Sequence, residues 1–159
     1  MSDMATIGVT VRPAAADDIP YVLALYVQPG MDDTALPLGE AKAIFDRMAL
    51  YPDYTLMVAE EKGRVIGTFA LLVMDNLGHL GAKSAVVEDV VVDHRQQGRG
   101  IGKIMMQYAM LRASESGCYK MTLSSNLKRT LAHKFYENLG FRHHGYSFWI
   151  DLPTGEYSR

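Results

Sequence analysis

Apolar and polar positions change their period several times along this chain, and each change marks an element. Residues 6–12 alternate and predict a first strand, closed by Pro13. Asp17 then stands as an N-cap before a helix that carries Ile19, Val22, Leu23 and Tyr26 at helical spacing. Residues 28–39 hold two prolines, two glycines and two aspartates and read as a loop. A second helix is expected over 40–50, with Ala43, Ile44, Arg47 and Met48 in step. Residues 54–60 and 65–74 predict a hairpin around Glu61-Lys62-Gly63-Arg64, and 76–83 a further loop.

Beyond this point the pattern becomes denser. Residues 85–92 are almost continuously β-branched apart from Glu88 and Asp89, as in a central strand covered on both faces. Ile101, Ile104, Met105, Tyr108 and Leu111 then recur at steps of three and four, predicting a helix to about residue 116 with Gly117 as its stop. A short strand over 120–124, a helix over 130–139 stopped by Gly140, and two strands within 141–152 around Gly145 complete the series. Residues 85–124 form one strand–helix–strand crossover, which requires two parallel strands in an otherwise antiparallel sheet. The expectation is one α+β domain over residues 1–159, with a mixed, mostly antiparallel sheet, a single parallel crossover and helices on both faces.

Composition narrows the functional classes. The chain has 159 residues, enough for one real core, with 48% hydrophobic and 21% charged content. A formal net charge of −2 gives no global basic field for nucleic acid, although Arg95, Arg99 and Lys103 form a local basic group suited to a small polyanion. No apolar run approaches the roughly 20 residues of a membrane span, so no membrane partner is expected. One cysteine, Cys118, cannot close an intramolecular disulfide, which suits a reducing cytoplasm. It has no partners at ligand spacing, and His143-His144 is an isolated pair, so no metal site is expected.

The candidate chemistry sits where the β-branched strand meets the next helix. Val90-Val91-Val92 leads through Asp93-His94-Arg95-Gln96-Gln97 into Gly98-Arg99-Gly100-Ile101-Gly102-Lys103. Such a junction gathers bare backbone N–H groups and the positive end of a helix dipole, and so suits a phosphate or pyrophosphate. The P-loop needs four residues between its first glycine and Gly-Lys-Ser/Thr, whereas here Gly98 and Gly102 are too close and Ile104 follows Lys103. The dinucleotide fingerprint needs G-x-G-x-x-G with an acidic residue about 20 positions on, and Tyr119, Lys120 and Met121 stand there instead.

The order Gln97-x-x-Gly100-x-Gly102 resembles the pyrophosphate loop of the GNAT superfamily of N-acetyltransferases. Downstream, Ala132, Tyr136, Gly140 and Phe141 resemble that family's A-x-x-x-Y-x-x-x-G-F element, and the resemblance covers about residues 86–152. Glu88 to Val92 and Gly117 to Lys120 look like the glucosamine-6-phosphate N-acetyltransferase branch. The longer stretch from Ser124 to Leu131 looks closer to bacterial small-molecule acetyltransferases, including those acting on aminoalkylphosphonates.

The resemblance implies acetyl-CoA as acetyl donor and direct transfer to the primary amine of a small molecule in a ternary complex. It implies that the backbone from Gly98 to Lys103, with Gln97, Arg95, Arg99 and Lys103, holds the pyrophosphate. Backbone groups of Val90 and Val92 would pair with the pantetheine arm, and the N–H near Val91 would reach the thioester oxygen. Tyr136 is the candidate general acid at sulfur, against a tyrosine that only packs. Glu88 is the candidate base through water, against a structural salt bridge; simple strand alternation places it on one face with Val90 and Val92. Asn126, Arg129 and His133 are candidates near the cofactor, against plain loop residues. Asp89 would support the fold or bind substrate. Other readings are a protein or peptide acetyltransferase and a non-catalytic acyl-CoA sensor on the same fold. A homodimer is expected, because exposed edges of a mixed sheet offer a route to one.

Overall fold

The period-two stretches become strands and the period-three-to-four stretches become helices. In the computed structural model residues 8–153 are described, and they form two compact units that meet in sequence between Leu123 and Ser124. The first unit contains β1 (Val9–Pro13), α1 (Ile19–Val27), α2 (Leu38–Met48), β2 (Tyr54–Glu61), β3 (Arg64–Met74), β4 (Lys83–Val92), α3 (Ile101–Glu115) and β5 (Cys118–Thr122). The second contains α4 (Thr130–Asn138). No helix among the described residues is long and apolar enough to cross a membrane.

The sheet runs β1-β2-β3-β4-β5, antiparallel except for the parallel β4–β5 pair that closes the crossover. The α+β expectation with one parallel crossover is therefore met. Paired residues share a face, so register assigns the layers. Leu56 and Val58 of β2 lie on one face, in a core with Ile19 and Val22 of α1 and Ala41 of α2. Ala59 pairs with Gly67 on the opposite face, where Met105 of α3 packs. Helices thus cover both faces. Gly67 makes the α3 side possible, since a Cβ there would stand 2.6 Å from Met105 Sδ and 3.3 Å from the Val91 carbonyl.

The hairpin turn falls on Lys62 and Gly63, both left-handed (φ 50 and 75), as the right-handed twist of the flanking strands favours. Three expectations need correction. Asp17 does not cap α1: it lies in a short 3-10 turn, Ala16–Asp18, and Asp18 precedes the helix. The Asp18 carboxylate accepts the Ala15 N–H at 2.7 Å and the Arg12 guanidinium at 2.7 and 3.0 Å, so a tertiary ion pair moves the start by one residue. Residues 141–152 contain no strand; the described part of the second unit supplies no ladder for them, and alternation without a partner strand leaves extended coil. The first strand starts at Val9, and residues 6 and 7 of its expected range lie outside the described residues.

Candidate active site

β4 is not a regular strand where its two acids stand. Glu88 pairs with Ala70 and Val91 with Thr68, so Asp89 and Val90 together oppose Phe69. This is a β-bulge, and Asp89 takes the left-handed conformation (φ 53) that lets the extra residue fit. The bulge resets the alternation. Glu88 shares a face with Ala70, Thr68 and Val91, while Val92 pairs with Gly67 on the α3 side. The face that unbroken alternation assigned to Glu88, Val90 and Val92 together is therefore corrected, because one inserted residue inverts the pleat beyond it.

The Glu88 face is the one covered by α1 and α2. Desolvation by the surrounding protein, and then the neighbouring Asp89 charge, push the Glu88 carboxyl above its ordinary value although the residue is exposed. Asp89 is pushed up by burial and by Asp32 of the α1–α2 loop. Tyr26 of α1 is raised by burial and Asp89, and Tyr54 of β2 by burial, Asp89 and Glu88. These side chains therefore share one neighbourhood. Among the described residues Glu88 has no ion-pair partner.

On its outer edge β4 pairs with β5 only from Lys83 to Val86, so among the described residues no strand continues along that edge beside Glu88 to Val92. The chain then enters a loop held by side chains. Asp93, buried, accepts the Arg95 N–H at 3.0 Å and its guanidinium at 2.9 Å. Gln28 Oε1 at the end of α1 accepts the His94 N–H at 2.9 Å, and the Gln97 amide donates to the Val92 carbonyl at 3.4 Å. Arg99 donates both guanidinium ends to Glu61 of β2, at 2.8 and 3.1 Å, and also reaches Gln96.

Gly98 and Gly100 adopt φ of 78 and 80, the second acting as the cap residue of α3 with no side chain to offer. No acidic residue stands in the first turn of α3. The successive N–H groups of Gly98, Arg99, Gly100, Ile101, Gly102 and Lys103 have no acceptor among the described residues. Lys103 is exposed and unpaired among them, whereas Arg95 and Arg99 are both engaged by carboxylates. A row of free donors at a helix start fits a diphosphate, and Cβ atoms at the two left-handed glycines would oppose that backbone.

The second unit organises its own candidates. The Asn126 carbonyl accepts the Arg129 N–H at 3.0 Å and lies 2.9 Å from His133 Nε2, while its side chain accepts the Lys128 N–H at 2.9 Å. Asn126 and Arg129 thus belong to a structured turn leading into α4, and His133, in the first turn of α4, bonds back to it. Tyr136 is half-buried between Phe135 and Phe141, edge-on, with ring centroids 5.1 and 5.6 Å away. Burial raises its phenol above the ordinary value, and Arg129 opposes that shift.

Glu61, Gln28, Tyr26 and Tyr54 were not among the sequence candidates. Tyr26 carries the helical spacing of a core residue, and Glu61 looks like an ordinary hairpin residue; no local pattern distinguishes either.

Comparison with known proteins identifies the family. The model of the Acetyltransferase (GNAT) family matches residues 9–141. The glucosamine 6-phosphate N-acetyltransferase of Trypanosoma brucei brucei is 36% identical over 90 residues, covering 57% of this chain and 59% of that protein. The chain thus aligns with little more than half the length of that relative. The aminoalkylphosphonate N-acetyltransferase of Salmonella typhimurium is 28% identical over 140 residues, covering 86% of this chain and 87% of that protein. A solved structure from Agrobacterium tumefaciens superimposes with a TM-score of 0.85 at 33% identity, covering 90% of this chain and 99% of that one.

Proposed function

Because the chain belongs to the acetyltransferase (GNAT) family, we propose that it is an N-acetyltransferase moving an acetyl group from acetyl-CoA directly to the primary amine of a small molecule. One observation carries this reading: a bulged strand with an open edge runs into a loop whose N–H groups, from Gly98 to Lys103, have no acceptor among the described residues. Acetyl-CoA supplies an activated thioester when bound.

The residues divide the remaining work. The loop N–H groups and Lys103 hold the diphosphate, and Arg95 and Arg99 add positive potential from their carboxylate partners. Backbone groups of Val90 and Val92 align the pantetheine arm, and the Val91 N–H polarises the carbonyl. Glu88 accepts the amine proton through water, a task suited to a carboxyl raised by desolvation. Tyr136 donates its phenolic proton to the departing sulfur, whose basicity resembles its own. Asn126 and Arg129 support the cofactor from the turn before α4, and His133 from the first turn of α4. Cys118 is not the nucleophile, since burial raises its thiol and it lies beyond the end of α3.

The names of the relatives put amino-sugar phosphates and aminoalkylphosphonates first among acceptors. The same reading includes a homodimer and a cytoplasmic location. The test is thiol release with acetyl-CoA across amino-sugar phosphates, aminophosphonates, amino acids, polyamines and lysine peptides. Turnover on a small amine is expected, and exclusive turnover on peptides would overturn the acceptor class. Tyr136→Phe should lower turnover about 100-fold with acetyl-CoA affinity retained; unchanged turnover removes Tyr136 from the mechanism.

A further inference from the structure

The last two residues of β2 are both glutamates, and each grips the entrance of a different helix. Glu60 takes the Arg12 guanidinium at 2.6 Å, and Arg12 also holds Asp18 at the start of α1. Glu61, its neighbour, takes the Arg99 guanidinium at 2.8 and 3.1 Å, just before α3. Successive side chains of a strand point to opposite faces, so one dipeptide reaches the helix layers on both sides of the sheet.

The grip on Arg99 is a two-bond fork, which fixes orientation as well as distance. Its far end is the hairpin turn at Lys62 and Gly63, rigidly paired with β3. Arg99 lies between the two left-handed glycines, second in the row of six free N–H groups. A guanidinium held by a carboxylate at both terminal nitrogens is poorly placed to fork onto a phosphate, because Glu61 would have to release it or stand beside the anion.

We propose, resting on the acetyl-CoA reading of this loop, that Glu61 is a positioning residue for the cofactor. Through the forked bond it makes Arg99 a strut that holds the Gly98–Lys103 backbone in its anion-binding form. The diphosphate is met by backbone N–H groups and Lys103, while Arg99 stays with Glu61.

The competing mechanism, in which Arg99 leaves Glu61 for the phosphate, has the opposite sign. Removing the Glu61 charge would then free Arg99 and tighten binding. Acetyl-CoA binding is therefore measured by titration calorimetry on wild type, Glu61→Gln, Arg99→Lys, the double variant and Glu60→Gln, with steady-state kinetics alongside. Glu61→Gln and Arg99→Lys should each weaken acetyl-CoA binding about fivefold, the effect of losing an exposed forked pair. The double variant should match the singles, because both remove the same strut. KM for acetyl-CoA should rise with kcat and acceptor KM unchanged. Glu60→Gln should lower the melting temperature without changing acetyl-CoA affinity.

Amide hydrogen exchange at Ile104, whose N–H donates to the Gly100 carbonyl of the loop, should be faster in ligand-free Glu61→Gln than in wild type. It reads the loop without the cofactor. Tighter or unchanged binding in Glu61→Gln overturns the strut, as does a further loss in the double variant. Wild type that fails to bind acetyl-CoA overturns the reading of the site itself, a separate result. Should Glu61→Gln melt below the assay temperature, Glu61→Asp, which shortens the carboxylate's reach to Arg99, decides by the same sign: weaker acetyl-CoA binding is expected, and tighter or unchanged binding overturns the strut.

Discussion

Two acidic pairs occupy this sheet, Glu60-Glu61 at the end of β2 and Glu88-Asp89 in the middle of β4. Each follows a run of apolar residues, and in sequence they look alike. In the fold they differ sharply. Glu60 and Glu61 each hold an arginine, and the Arg99 guanidinium keeps the Glu61 carboxyl below its ordinary range. Glu88 and Asp89 lie on a bulge, repel one another, and are both raised by desolvation and like charge. Carboxylates with partners organise the elements around them. A carboxylate without one keeps its proton affinity for other uses, and on the proposed reading that separates framework from chemistry.

The largest expected effect tests the second pair. Glu88→Gln should reduce turnover at neutral pH about 100-fold or more, the scale of a general base, without lowering the melting temperature. A variant that keeps its activity but melts early would place Glu88 with the framework instead.

Next comes the framework itself. Arg12→Met leaves Asp18 and Glu60 without their cation and should cost about 2 kcal/mol in chemical denaturation at pH 7, discounted for partial exposure. Arg12 holds the Asp18 carboxyl below its ordinary value. Its stabilisation is therefore complete above the unfolded carboxylate pKa and is lost as pH falls through the folded one. The gap between variant and wild type should close in acid, and a gap that persists there would mean that packing of the Arg12 stem dominates.

The sign reverses for the bulge. Carboxyls raised in the fold cost stability above their folded pKa values, and protonation relieves that cost. Asp89→Gly removes one charge and the left-handed Cβ at once, and should stabilise the protein by about 1 kcal/mol at pH 7. No gain would show that the Asp89 side chain has a compensating partner.

The smallest effect is electrostatic alone. The acid limb of kcat/KM should inflect above 4.5, the ordinary glutamate value. Asp89→Asn should move that limb down, since a neighbouring negative charge is removed. A limb unmoved by Asp89→Asn would mean that Glu88 is not the titrating base.

Local pattern carried the sequence reading where local interactions decide the structure. The strand–loop–helix from β4 to α3 was legible because β-branched density, glycine spacing and helical period each act within a few residues. The bulge was not, since Glu88-Asp89 reads as plain alternation and only the register with β3 reveals the inserted residue. Pairing across the fold was equally hidden. Arg99 and Glu61 are 38 positions apart, and nothing near either names the other. The residues after Gly140 show the converse failure, where alternation suggested strands and no ladder formed among the described residues.

The strands lie in the sheet in the order in which they leave the chain, β1 to β5. Each pairing therefore closes a loop between consecutive strands, and no strand must thread between two that are already joined. Closure entropy is lowest for the two-residue turn of the β2–β3 hairpin and larger for the connections that carry helices. Folding by this route nucleates on the hairpin that bears Glu60 and Glu61, so both clamps exist before α1 and α3 dock against them. Substitutions in that hairpin should slow refolding, whereas those in β5, the last strand to join, should mainly speed unfolding.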